Sequence, residues 1–211
     1  MKVIAFNGSP RFEGNTAGCL GIIAGRLAEK GIAMEVLPVG SEPVRGCVAC
    51  NGCAKARNGK CVMQDDIVND YLLKAQEASG IILASPVYFA GVNGTMKAFL
   101  DRMFYVSAVH GGLFRHKIGA SLAVVRRSGG TATFDVLNHY LLYSEMLVVA
   151  SNYWTVVHGN TPGQMKEDHE GIQILEVLAD NMAWALKLAE HGKGHVEPPP
   201  RPKKVFTNFI R

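Results

Sequence analysis

The chain has 211 residues, 48% hydrophobic and 19% charged, with 23 glycines and 9 prolines. That balance excludes a disordered or collagen-like polymer and supplies enough apolar material for one buried core. The net charge of +4 sits in the tail, where Arg201, Lys203, Lys204 and Arg211 follow Glu197 with no intervening acid, and residues 1–197 carry equal numbers of acids and bases; a nucleic-acid surface is not expected.

Val3 to Phe6 is a short apolar run closed by the turn cluster Asn7-Gly8-Ser9-Pro10, which predicts a first strand. Leu20, Ile23, Ala24, Leu27 and Ala28 recur at helical spacing, and Gly31 takes the position expected just past a helix end. Ala33–Leu37 reads as a second strand, and Ile67–Ala78 as a helix opened by Asp65 or Asp66. Gly80–Ala84 is a third, fully buried strand, and Met96, Phe99, Leu100, Met103 and Phe104 mark the next helix. Ile118–Val125, a helix over Thr133–Ser144, a fifth strand over Met146–Ala150 and a long helix over Asp168–His191 complete the pattern. Five strands alternating with five helices predict an α/β domain over residues 1–195, built on a doubly wound parallel sheet. The longest apolar run, Ile81–Val92, is broken by Ser85 and Pro86 and falls short of the ~20 residues of a membrane helix, so no membrane is expected. Residues 196–211 form a proline-rich basic tail that is either mobile or laid along a neighbouring surface.

Three segments carry chemistry. The turn Gly8–Thr16 lacks both a dinucleotide fingerprint and a Walker loop, yet it places hydroxyls, an amide and Arg11 ahead of a helix N-terminus. Backbone N–H groups and the helix dipole favour an anion there, and one arginine suits a single phosphate; an ordinary capped turn is the plain alternative. The segment Ser85–Thr95 leaves the third strand through Pro86, with Tyr88 and Phe89 where a planar ring could be held and Gly91 and Gly94 allowing close backbone approach. Packing of the two aromatics beneath the loop is the alternative. The third segment is a Cys-rich insertion over about residues 40–64, containing Cys47, Cys50, Cys53 and Cys61. A C-x2-C-x2-C run plus one more Cys is common for iron–sulfur clusters, whereas structural zinc more often uses two separated pairs. A cluster, a zinc ion and an empty or disulfide-prone loop all remain open on spacing alone.

Ser9-Pro10-Arg11…Gly14-Asn15-Thr16 and Ser85-Pro86-Val87-Tyr88, running into Met96–Arg102, resemble the flavodoxin-like NAD(P)H-dependent FMN reductases, and the likeness extends to Asn181–Trp184. The resemblance implies the strand order 2-1-3-4-5 with the Cys-rich insertion after strand two. It also implies that Ser9, Arg11, Asn15 and Thr16 hold the FMN phosphate. Pro86, Val87, Tyr88, Phe89 and Gly91 line the isoalloxazine by the same likeness, and Arg127, Ser128, Gly129 and Gly130 close its far side. The insertion resembles that of the iron–sulfur flavoproteins, which implies a [4Fe–4S] cluster on Cys47, Cys50, Cys53 and Cys61.

The expected activity is an FMN-dependent oxidoreductase reduced by NAD(P)H or a ferredoxin-like donor and delivering electrons through the cluster to a redox protein or small acceptor. A non-enzymatic flavodoxin-like shuttle and a plain reductase without a cluster are the alternatives. No catalytic side chain is expected, since the cofactors carry the chemistry. Five cysteines and a chain that opens on a strand predict a reducing cytoplasm. Cys19 reads as a small buried hydrophobe. The last helix bears two apolar stripes, one around Leu175 and Met182 and one around Ile174 and Leu178, suited to the sheet and to a second copy in a homo-oligomer, or to one wide face within the chain. His158 and His169 flank a loop, Gly159–Gly163, that with Tyr153 and Trp154 borders the expected ring, with solvated or core roles for the histidines themselves.

Overall fold

Alternate residues of a central strand point to opposite faces of a sheet, and both faces of this one are covered. The computed structural model describes residues 1–207 and Phe209. In chain order it runs β1 (Lys2–Asn7), α1 (Asn15–Glu29), β2 (Ala33–Pro38), α2 (Gly52–Ala56), α3 (Val68–Glu77), β3 (Gly80–Tyr88), β4 (Gly91–Val92), α4 (Gly94–Val109), β5 (Ile118–Val125), α5 (Gly130–Tyr143), β6 (Leu147–Val148), β7 (Val156–His158), a 3-10 turn (Gln164–Glu167) and α6 (His169–Gly192).

The main sheet has the order β2-β1-β3-β5-β6, and its ladders are parallel, with Val3 opposite both Met34 and Gly80, and Gly80 opposite Ile118. Counted over the predicted strands, this is the expected 2-1-3-4-5 arrangement. The fifth position differs from the expectation of one strand over Met146–Ala150. It is split: β6 pairs with the start of β5 and β7 with its end, both parallel. Val149 N still donates to Gly119 O and Thr155 O still accepts from Ala123 N, but residues 150–154 leave the ladder between them and turn to α6: Asn181 Nδ2 donates to Ala150 O at 2.8 Å, and Ser151 Oγ donates to Ile174 O at 2.7 Å. Beyond the main sheet, β3 continues into an antiparallel pairing with β4, Val87 opposite Val92.

One face of β1 and β3 presents Ile4, Phe6, Ile81 and Leu83 to α3 and α4, where the Phe6 and Phe99 rings lie 4.9 Å apart. The other presents Val3, Ala5 and Ile82 to α1 and α6. Both stripes of α6 contribute to this second face, burying Ile174, Leu175, Leu178, Ala179 and Met182, while Trp184 and Leu188 stay exposed. The two helices are tied outside the core by Arg26, whose Nε and Nη2 each reach an oxygen of Asp180 at 2.9 Å.

Helix ends follow their local chemistry. Gly31 (φ +76°) ends α1, and Ile32 N donates back to Leu27 O at 3.0 Å. Asp168 opens α6 by accepting from Gly171 N at 2.9 Å. The start of α3 is one residue later than expected: Ile67 occupies the cap position, and Asp66 accepts from Val68 N at 3.2 Å. The described part of the tail follows the α4–α5 side, where Arg115 Nη1 donates to Pro199 O at 3.1 Å and Lys204 Nζ stands 4.8 Å above the Tyr143 ring. Among the described residues, no helix is long and apolar enough to cross a membrane.

The Arg26 hydrogen bond holds the Asp180 carboxyl below its ordinary pKa. A lowered folded-state pKa stabilises above the unfolded value and stops doing so as pH falls through the folded one. Asp180→Asn therefore lowers the melting temperature slightly at neutral pH, with the gap from wild type closing in strong acid; paired thermal melts measure it.

Candidate functional site

Parallel strands send their outgoing loops to one edge of a sheet, and here those loops are stitched together. After β1, Asn7 Oδ1 accepts from Ser9 N at 2.9 Å, Ser9 Oγ accepts from Arg11 N at 3.2 Å, and Arg11 O accepts from Gly14 N at 3.3 Å. Gly8 N donates to Ala84 O of β3 at 2.7 Å. The chain leaving β2 presses on the same loop: Val39 N and Gly40 N both donate to Asn7 O, and a Cβ on Gly40 would lie 2.1 Å from Gly8 O. Ser9, Asn15 and Thr16 are buried; Arg11 and Phe12 are exposed. Gly14 caps α1 without a side-chain bond, and no acid occupies the first turn.

The Asn15 amide is already engaged. Its Nδ2 donates to Thr161 O at 3.0 Å and its Oδ1 accepts from Met165 N at 3.3 Å, fastening the segment after β7 to the start of α1. A Cβ on Gly159 would sit 2.8 Å from that Nδ2. The flanking His158 and His169, with Tyr153 and Trp154, mark the 159–163 loop in the sequence, but none of them signals this tie. Phe12 and Gly40 carried no signal of their own.

After β3, the buried Ser85 Oγ accepts from Asn93 N at 3.0 Å and donates to Pro86 O at 2.8 Å, closing the base of the β3–β4 hairpin. The tip takes two consecutive left-handed residues, Phe89 (φ +48°) and Ala90 (φ +59°). Such a turn usually draws glycine or asparagine, and a bulky residue with positive φ carries strain of about 1–3 kcal/mol. The left-handed conformation thus falls on the two residues that precede Gly91. Phe89 is wholly exposed and Tyr88 nearly half exposed.

The turn after β5 packs on this hairpin. Gly129 (φ +88°) approaches so closely that a Cβ there would lie 2.6 Å from Ala90 Cα and 3.0 Å from Val87 Cγ1. Arg127 and Ser128 are exposed, and Gly130 opens α5 against Val156. Two of the three predicted cofactor segments, Pro86–Gly91 and Arg127–Gly130, are therefore in contact, and the Ser9–Thr16 segment is joined to β3 beside them.

The Cys-rich insertion folds onto α4. Ala49 and Asn51 are left-handed, curling the chain on either side of Cys50, and α2 follows. Gly52 passes so near Val62 that a Cβ would lie 2.7 Å from its Cγ2. Cys53 and Cys61 are buried in the same apolar cluster, whereas Cys47 and Cys50 are exposed. Asn69 clamps Cys61, accepting from its N at 2.8 Å and donating to its O at 2.9 Å. From α4, Tyr105 Oη donates to Asn51 Oδ1 at 2.5 Å. Arg102, only 1% exposed, pairs with Asp66, donates Nη1 to Arg45 O at 3.2 Å and Nη2 to Met63 O at 2.9 Å, and sets Nη2 3.4 Å from Cys61 Sγ. Burial raises the Cys53 thiol, with smaller upward contributions from Cys61 and Cys50. Among the described residues, no three Cys, His, Asp or Glu side chains stand close enough together to hold a metal ion. Cys19 lies apart, fully buried, its thiol pushed up to about 12 by burial and by Asp168. His158 is exposed beside Asp168, its N donating to Asp168 Oδ2 at 2.7 Å.

Strand order, covered faces and loops converging at the carboxyl edge define a flavodoxin-like α/β protein. The structure of RosB with bound 8-demethyl-8-formylriboflavin-5'-phosphate superposes with a TM-score of 0.71 at 13% identity, covering 100% of this chain and 93% of that one. An archaeal flavodoxin gives 0.58 at 16% identity, covering 89% and 99%. The family model described as NADPH-dependent FMN reductase matches residues 1–161. An iron–sulfur flavoprotein of Methanocaldococcus jannaschii is 36% identical over 195 residues, 89% of this chain and 98% of that protein. The chain belongs to the NADPH-dependent FMN reductase family, in its iron–sulfur flavoprotein branch.

Gly129→Ala meets both a positive φ and the Ala90 backbone. It destabilises the protein by about 1–3 kcal/mol in denaturant titrations, while Gly163→Ala, also left-handed but with open space around it, costs less.

Proposed function

We propose that this chain binds FMN at the carboxyl edge of its sheet and works as an oxidoreductase. NAD(P)H or a ferredoxin-like donor would supply the electrons, Cys47, Cys50, Cys53 and Cys61 would hold a [4Fe–4S] cluster that would supply single-electron transfer, and a redox protein or small molecule would be the acceptor. The reading rests on one arrangement: the turn after β5 seated on the β3–β4 hairpin, beside a β1 loop that precedes an uncapped helix start. Bound FMN supplies hydride acceptance and single-electron release.

The residues then have distinct tasks. Ser9, Thr16 and the first-turn N–H groups of α1 receive the phosphate, aided by the helix dipole. Arg11 adds a charge from the exposed side. Asn15, held by Thr161 and Met165, shapes the pocket and keeps one amide N–H for the phosphate. Pro86, Val87, Tyr88, Phe89 and Gly91 border one part of the ring, and Arg127, Ser128, Gly129 and Gly130 the other, excluding water. The strained tip holds Phe89 clear of the core, where its ring can cover a planar cofactor.

The donor set suits iron–sulfur chemistry. Soft thiols, two of them buried in one apolar cluster beside a guanidinium, match a cluster whose sulfurs need screening from water and hydrogen-bond donors. Exposed Trp184 and Leu188 on α6 suit a contact between copies in a homo-oligomer, and free thiols suit the cytoplasm.

Anaerobically purified protein is expected to contain FMN, iron and acid-labile sulfide, and to oxidise NADPH with an added quinone. Cys50→Ala loses the iron and keeps the flavin. Full flavin without iron reduces the reading to a plain reductase; tight flavin binding without NADPH turnover makes the chain a shuttle. Protein that stays colourless with added FMN overturns it. Arg11→Ala weakens FMN binding by about tenfold in fluorescence titrations, the low end for a charged hydrogen bond because Arg11 is exposed.

A further inference from the structure

We propose that Arg102 is a positioning residue for the Cys-held centre: by donating Nη2 to Cys61 Sγ it raises the reduction potential of the cluster, and Asp66 opposes that effect. The inference rests on the cluster reading above.

Arg102 lies on α4, within the stripe that packs under the sheet, with no solvent to hydrate its charge. A buried guanidinium persists only when its donors are matched. Four residues between 45 and 66 engage its two Nη groups: Asp66 and Arg45 O take Nη1, and Met63 O and Cys61 Sγ take Nη2. Nε is buried and has no protein partner among the described residues. Carboxylate and sulfur are thus served by different nitrogens, with the delocalised positive charge between them. Were Arg102 there to fasten the insertion alone, carbonyls and Asp66 would suffice; the donor spent on sulfur has a chemical consequence. A positive charge and an N–H at a thiolate stabilise the more negatively charged, reduced form of a cluster and move its potential upward. Burial strengthens the effect, because little water screens it. Lysine would supply the charge without the two-directional fork. The carboxylate of Asp66, also buried, acts with the opposite sign.

The test is a potentiometric titration of reconstituted holoprotein, with the reduced cluster read by electron paramagnetic resonance and the FMN by absorbance. Arg102→Gln shifts the cluster potential downward and Asp66→Asn shifts it upward, while the FMN potential moves far less. Arg102→Lys falls between wild type and Arg102→Gln. Should Arg102→Gln fail to fold with Asp66 left unpaired, the double variant Arg102→Gln/Asp66→Asn removes that burden and still lies below wild type. Loaded variants with unshifted potentials, or shifts of the same sign from Arg102→Gln and Asp66→Asn, overturn the inference alone. Wild-type protein that takes up neither iron nor sulfide overturns the cluster reading, and the inference with it.

Discussion

Parallel pairing of β1, β3 and β5 is the constraint from which the remaining architecture follows. Strands that run the same way cannot be joined by tight turns, so each connection must cross a face and return, which buries helices on both sides. The same rule delivers every outgoing loop to one edge. There the Asn7 carbonyl accepts from both Val39 and Gly40, and Gly8 reaches Ala84, so the loops after β1, β2 and β3 are joined through backbone bonds. The loop segments at that edge are thereby held on a rigid support, although each is irregular.

Where burial dictates the pattern, the sequence was readable. The apolar runs at Val3, Ile81 and Ile118, and the helical stripes of α1, α4 and α6, announce their elements because one face of each must leave water. The three residues of β7 are too few to show a period, and the withdrawal of 150–154 goes with Asn181 and Ser151 bonding across the fold. The site divides along the same line. Its segments are marked by turn residues and by cysteine spacing, but contacts between segments are not. Nothing local in Asn15 reveals that its amide spans to Thr161 and Met165. Gly91 marks a turn in the sequence, whereas the left-handed residues are Phe89 and Ala90, with Gly129 of the turn after β5 close against Ala90. Arg102 looks like any charged residue on an amphipathic helix; only the insertion folding over α4 turns it into an interior group.

The insertion is held by polar ties rather than by a core of its own. α2 spans Gly52–Ala56 alone, too short for a helix to stand unaided, and the connection is anchored through Asn69, Tyr105 and Arg102. A buried ion pair is a weak source of stability compared with apolar packing, but it is intolerant of misplacement.

One consequence of α4 reaches beyond either site. Asn93 accepts from Thr95 N and Met96 N at the helix start, directly after the β3–β4 hairpin, and Arg102 stands nine positions further along the same rod. At ~1.5 Å of rise per residue, the two anchor points are spaced by roughly 13–14 Å. The helix therefore acts as a ruler: the gap between the aromatic tip and the cysteine pocket is set by a count of peptide units. Insertion or deletion of a single residue in that span would rotate Arg102 by about 100° and carry the guanidinium away from the sulfur, however faithfully both loops kept their own shapes.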